Sequence, residues 1–239
     1  MCGRYTLATT YDELREFFQL DDDFPLYSAR YNIAPTQPVL AVRDVAVLDG
    51  EKAAQKRRVA FFSWGLVPSW SKDPRLGAKL INARAETLAE KPAFRTAFKR
   101  RRCLVPADGF YEWQRSGRRK QAFHIRLRRE KLFAFAGIFD EWHGPNGELL
   151  ETCAIVTTEA NDLMRPIHER MPVILRRGDY GAWLDKKNED TDALLELLTA
   201  YPSEEMVATA VGDFVNSAQH EGAACLERAK EMEGEGMLF

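Results

Sequence analysis

The stretch CLVPADGFYEWQ at residues 103–114 decides how the chain is read. Its apolar and aromatic residues fall into two short runs, 103–105 and 110–114, and both read as strands. Similar runs follow at 123–127, 132–138 and 153–157, and others precede at 39–48 and 59–66. Shorter ones at 173–175 and 207–211 close the series. Helical patterns lie around them. Thr10-Tyr11-Asp12-Glu13 is a capping box, and Leu14, Phe17 and Phe18 give the following helix one apolar face. Asp21, Asp22, Asp23 and Pro25 end it. Residues 83–90 and 92–98 predict short helices, the second with Pro92 in its first turn. A helical turn is predicted over 158–164, and helices over 179–184 and 192–200. Strands dominate the middle and helices flank it. The expected class is α+β, a mostly antiparallel, barrel-like central sheet flanked by short helices. A single domain is expected over residues 2–225, with 226–239 as an acidic, frayed tail.

The 239 residues suffice for a substantial core, and the net charge is only -2. That charge is unevenly spread. Residues 95–131 hold 13 Lys or Arg against 3 Asp or Glu, whereas residues 185–239 hold 13 acids against 4 bases. A basic middle with Trp, Tyr and Phe close by in sequence points to a polyanion, although a charge run is more often a solvated face. Cys2, Cys103, Cys153 and Cys225 are widely spaced, with no CxxC pair and no signal-peptide pattern. A reducing, cytoplasmic setting without disulfides is expected. His124, His143, His168 and His220 form no metal-ligand spacing, so no metal site is expected. No apolar run reaches membrane-spanning length.

The chain opens Met1-Cys2-Gly3-Arg4-Tyr5. Removal of Met1 would leave a terminal cysteine with an amine and a thiol two carbons apart. The amine can condense with an aldehyde, and the thiol can close the imine into a five-membered thiazolidine. Free pKa values of about 7.7–8.0 and about 8.5 leave both nucleophiles partly available near neutrality. Three polar residues sit inside apolar stretches, where burial is costly without a purpose: Asn82, Glu112 and His168. Each alone suits an ordinary role, as a buried hydrogen-bonder, an outward strand residue and a loop histidine. Together they supply an amide to orient a hydroxyl, a carboxylate to move protons on an amine, and an imidazole acid. A second set suits unpaired nucleic acid. Trp64, Trp70 and Trp113 offer faces on which bases stack, at about 1–3 kcal/mol each. Core packing is the alternative for at least one of them. Arg4, Arg84 and Arg170 lie beside the candidate catalytic residues and could hold phosphates.

These residues sit in blocks that resemble the SRAP (SOS-response-associated peptidase) family of abasic-site-processing proteins. The blocks are MCGRY, ARYNIAPTQ at 29–37, WGLVPSW at 64–70, INARAET at 81–87, RCLVPADGFYEW at 102–113, AGIFDEW at 136–142, AIVTTEAN at 154–161 and HERMPVIL at 168–175. They cover nearly the whole chain in order. The resemblance implies a catalytic set of Cys2, Asn82, Glu112 and His168, with Thr157 and Asn32 as further DNA contacts by motif position. It implies a sensor of abasic sites in single-stranded DNA, or at single-strand/double-strand junctions. Such a sensor crosslinks through Cys2, shields the lesion from strand cleavage and acts as a monomer without cofactor. It also leaves room for autoproteolytic release of Met1 and lyase-type chemistry, and for association with the nucleoid when bound to DNA. Two other classes fit some of the residues. An N-terminal-nucleophile thiol peptidase or amidohydrolase would use the Cys2 amine as base for its own thiol. A non-catalytic single-strand binder would use only the basic and aromatic features, leaving Cys2 and Glu112 without a role.

Overall fold

The computed structural model describes residues 2–21, 27–49, 52–117 and 119–229. In chain order its elements begin with β1 (Tyr5–Leu7), α1 (Tyr11–Phe18), β2 (Arg30–Ile33), β3 (Pro38–Asp49), β4 (Lys52–Trp64), β5 (Asn82–Arg84) and α2 (Arg95–Arg100). They continue with β6 (Arg102–Ala107), β7 (Gly109–Ser116), β8 (Arg119–Leu127), β9 (Phe133–His143) and β10 (Leu149–Glu159). The last are β11 (Arg170–Pro172), β12 (Ile174–Leu175), α3 (Tyr180–Leu184), α4 (Thr191–Glu196) and β13 (Met206–Val211).

The 103–114 stretch feeds two different sheets, with Asp108 alone between them. β6 enters a ring in which β10, β4, β3, β6 and β9 pair in turn and β9 pairs back to β10. This closed barrel leaves no free edge within the ring. β3 and β4 run antiparallel from Pro38↔Ser63 to Asp49↔Lys52. Phe62 and Phe139 stack at 4.9 Å, and Leu104, Phe135, Ile138 and Cys153 are buried with them. Gly137 lets β6 approach β9, because a Cβ there would lie 2.7 Å from Cys103 Sγ. β7 enters a second, five-stranded sheet in the order β13-β8-β7-β1-β2. Among the described residues nearly every pairing is antiparallel; the parallel ones join β10 to β4 and to β5. The fold is therefore the expected α+β arrangement, with a closed barrel and a second antiparallel sheet.

Local chemistry explains the elements. Thr10 Oγ1 accepts from the Glu13 N–H at 3.3 Å, and the Glu13 carboxylate accepts from the Thr10 N–H at 2.9 Å, so the capping box starts α1 as read. Leu14 and Phe18 are its buried residues, and Phe18 stacks on Tyr180 of α3. Buried Arg102 joins two helix ends, donating to the carbonyls of Phe98 and Trp183 at 2.7 and 2.6 Å. No helix among the described residues is long and apolar enough to cross a membrane.

Several expectations need correction. Residues 83–90 are not a helix: Asn82–Arg84 pairs with β10, and Ala85–Thr87 is a single 3-10 turn. The Ala-rich pattern lost to a strand that gives this backbone partners. The helix expected over 92–98 begins later, at Arg95. β10 runs through Thr157 and Thr158 to Glu159, so the turn expected over 158–164 follows it. β1, β2, β5 and β11 were not anticipated. The expected tail also begins too early. Glu227 O accepts from the Gly212 N–H at 2.9 Å, Arg228 bridges to Val211, and the Ala229 N–H donates to Ala210 O at 3.1 Å. Residues 230–239 lie outside the described residues, as do Asp22, Asp23 and Pro25 at the expected end of α1.

Candidate active site

The N-terminal residues are carried by β1 onto β7. Tyr5 pairs with Phe110, and the Tyr111 N–H donates to Arg4 O at 2.9 Å. Glu112 is the next residue of β7. Cys2, just ahead of β1, is completely buried, and its carbonyl accepts from Asn82 Nδ2 at 2.7 Å. Asn82 is presented by β5, opposite Ile155 of β10. Burial pushes the Cys2 thiol pKa up, and the nearby Glu112 carboxylate pushes the same way; the Arg4 backbone N–H opposes both. The thiol is thus held protonated near neutrality. Asn82 Oδ1 is buried and accepts no hydrogen bond.

Glu112 and His168 line one cleft of about 500 Å³, together with Trp113, Arg115 and Lys120. His168 arrives there after a turn in which Asn161 Oδ1 accepts from the Met164 N–H at 2.9 Å, and the His168 N–H donates to Met164 O at 2.8 Å. His168 Nδ1 accepts from the Arg170 N–H at 2.9 Å. The same nitrogen lies 3.2 Å from Arg170 O, so the backbone of residue 170 holds the ring by its Nδ1 edge. Cys2, Asn82, Glu112 and His168 are thus linked pairwise by a hydrogen bond, a field and a shared cleft, though they come from four distant stretches of chain.

The candidate DNA contacts divide. Trp70 is 62 % exposed and lines a second cleft of about 660 Å³ with Lys72, Arg75 and Lys79. Arg84 is exposed. Trp113 is half-buried, and its Nε1–H donates to Asn216 Oδ1 at 2.7 Å. Trp64 corrects the expectation: it has no exposed surface, its Nε1–H donates to Ile81 O at 2.8 Å, and Tyr5 packs edge-on against it. It is core and cannot stack on a base. Asn32 is equally buried, accepting from Arg4 Nη1 at 2.8 Å and donating to the carbonyls of Ser217 and His220. It holds the chain together rather than facing a ligand. Arg4 also donates to Val215 O at 3.0 Å, and burial lowers its pKa. Arg170 grips both Glu86 oxygens, at 2.8 and 2.9 Å, and Thr157 O at 2.7 Å. Its Nε and the Oγ1 of buried Thr157 have no hydrogen-bond partner.

Sequence reasoning passed over a buried polar chain beside the site. The Thr6 hydroxyl donates to Asp108 Oδ1 at 2.5 Å and lies 3.2 Å from His124 Nε2. Asp108 Oδ2 accepts from the Ala8 N–H at 2.5 Å. Gly109 is required there, since a Cβ would sit 2.0 Å from His124 Nε2. Burial lowers the His124 pKa to about 4, with Arg126 adding to the effect. The signal in the sequence was Asp108-Gly109, a turn pair between two strands. Arg115 and Lys120 were also passed over as cleft residues, though both lie in the basic run.

The family described as SOS response associated peptidase (SRAP) matches residues 1–218. The Bacillus subtilis protein named abasic site processing protein YoaM is 43% identical over 235 residues, covering 97% of this chain and 100% of that protein. The Xenopus tropicalis abasic site processing protein HMCES is 30% identical over 263 residues, covering 95% of this chain and 78% of that protein. A crystal structure of a Bacteroides thetaiotaomicron protein superposes with a TM-score of 0.84 at 26% identity, over 96% of this chain and 100% of that one. The family match over residues 1–218 and the identity to these relatives place this chain in the SRAP family.

Proposed function

We propose that this protein processes abasic sites in single-stranded DNA by forming a covalent thiazolidine at Cys2. The observation that carries the reading is the seat of Cys2, with its carbonyl on Asn82 at 2.7 Å and its thiol in the field of Glu112. Family membership and the names of the relatives support it. Met1 must first leave, by self-cleavage or by an aminopeptidase. His168 protonates the sugar ring oxygen while the C1′ hydroxyl gives up its proton to water, and the deoxyribose opens to its aldehyde. The Cys2 amine attacks C1′. Glu112 takes a proton from the amine and returns one to the hydroxyl on C1′, which departs as water and leaves the imine. Sγ then adds to C1′, its proton passes to nitrogen, and the ring closes. Asn82 Oδ1 accepts from a hydroxyl of the opened sugar. The exposed Arg84 faces a flanking phosphate, and Trp70 and Trp113 receive unpaired bases. Single strands and junctions are then preferred over full duplex. These steps call for no metal or organic cofactor.

A thiol peptidase would cleave an amide bond and leave no stable aldehyde adduct, so the adduct itself separates the two readings. The test is incubation with an abasic oligonucleotide followed by denaturing electrophoresis. Protein lacking Met1 gives a denaturation-resistant complex with the abasic strand and none with an intact strand. An equal yield from protein that retains Met1 would overturn the reading, since its α-amine is locked in an amide.

A further inference from the structure

Hairpin β7–β8 sets Arg115 directly across from Lys120. Like charges placed opposite each other on a sheet repel. Both side chains are exposed, and among the described residues neither has an acidic partner. The repulsion is therefore left standing in the free protein. Both residues line the cleft that Glu112 and His168 also line. Lys120 Nζ lies 4.6 Å from the centre of the Trp113 ring, held there by a cation–π contact. The Trp113 indole is in turn tied down by Asn216. An uncompensated cation pair beside an anchored aromatic face suits a ligand with an anionic backbone and flat bases.

We propose that Arg115 and Lys120 form a phosphate seat for the DNA strand that enters the Glu112–His168 cleft, with Trp113 as the platform for the neighbouring base. The location rests on the function proposed above; the binding test does not. In this seat one phosphodiester oxygen pair bridges the guanidinium and the ammonium, and the mutual repulsion of the two cations is relieved on binding. This adds a contact to Arg84, on β5, and extends the strand's path along the β7–β8 hairpin.

The experiment uses a fluorescent single-stranded oligonucleotide carrying a tetrahydrofuran residue, an abasic analogue without an aldehyde, titrated across a range of KCl concentrations. Loss of both cations in Arg115→Gln/Lys120→Gln should weaken binding and flatten the plot of log K against log[salt] by about 0.7, the value for one phosphate contact on a single strand. Arg115→Lys, which keeps the charge, should keep the slope. Arg128→Gln/Arg129→Gln removes the same charge from the far end of β8 and should leave the slope as it was. An unchanged slope in the first pair, or an equal fall in the control pair, overturns the seat. A wild-type protein that binds with the expected slope yet never crosslinks an authentic abasic strand overturns the proposed reaction and leaves the seat standing.

Discussion

The closed barrel and the five-stranded sheet share one apolar core but differ in the polar links added to it. Barrel strands are joined through apolar contacts such as Phe62 on Phe139, inside a ring with no edge. The other sheet, which carries Glu112, shares that core through Tyr5 and Phe110, both edge-on to Phe135, and adds directional polar links. Thr6, Asp108 and His124 tie β1 to the β6–β7 junction and β8. Arg4 and Asn32 tie β1 and β2 to the carbonyls of residues 215–220. The Tyr111 hydroxyl donates to Tyr31 O at 2.9 Å. Apolar burial is strong but nondirectional, whereas a hydrogen bond fixes geometry at modest net gain. Stability and reactive geometry should therefore separate between the two regions.

The largest expected break is chemical. Cys2→Ala leaves an α-amine that can form an imine but cannot trap it. The stable crosslink should vanish and strand cleavage by β-elimination should appear, read on a denaturing gel; a heat-stable adduct from this variant would remove the thiazolidine. Glu112→Gln comes next. It should slow both adduct formation and its reversal by about 10²–10⁴-fold, with the thermal midpoint little changed. Wild-type rates in both directions would take Glu112 out of the mechanism. A cut in the barrel should do the reverse: Phe62→Ala should cost about 3–5 kcal/mol in a urea titration. Its folded fraction should still crosslink at the wild-type rate, and a slower rate per folded molecule would deny the separation of the two regions.

How far the sequence reveals the two regions follows from the same contrast. β3, β6, β9 and β10 contain apolar runs that were legible, though β9 and β10 extend well past them, and β4 was legible only over its second half because it opens with the polar stretch KAAQKRR. β1, β2, β5 and β11 are three or four residues long, too short for a period to register, and Pro172 and Asn82 obscured them further. Cys2, Asn82, Glu112 and His168 were legible as residue types in an apolar setting, whereas their meeting depends on pairings such as Tyr5↔Phe110 and Ile155↔Asn82. Trp64 and Trp70 show the limit most plainly. They share one short motif, and only tertiary packing sends the first into the core and the second to the surface. The Thr6–Asp108–His124 chain joins residues up to 118 positions apart and left only a turn signal in the sequence.

Two smaller tests sharpen the comparison. His124 is held neutral, with a folded pKa of about 4 against about 6.5 when unfolded. The unfolded chain takes up the proton first, so this contribution is complete above about pH 6.5 and is lost as pH falls toward 4, amounting to about 3 kcal/mol at most. Urea midpoints measured from pH 7 to pH 4 should fall for this reason, and His124→Gln should flatten the trend; an unaltered trend would place the acid sensitivity elsewhere. Trp70→Ala should lower affinity for single-stranded DNA by about 1–3 kcal/mol with no loss of stability. Trp64→Ala should instead destabilise the fold. If Trp70→Ala left binding intact, its exposed ring would not be a base platform.

The central claim is the bond at Cys2, and intact mass tests it most directly. After incubation with a single-stranded abasic oligonucleotide, the account expects one new species whose mass is that of the protein without Met1 plus the oligonucleotide less one water. Peptide mapping should place the modification on Cys2. No adduct under those conditions, or an adduct mapped to another residue, would contradict it.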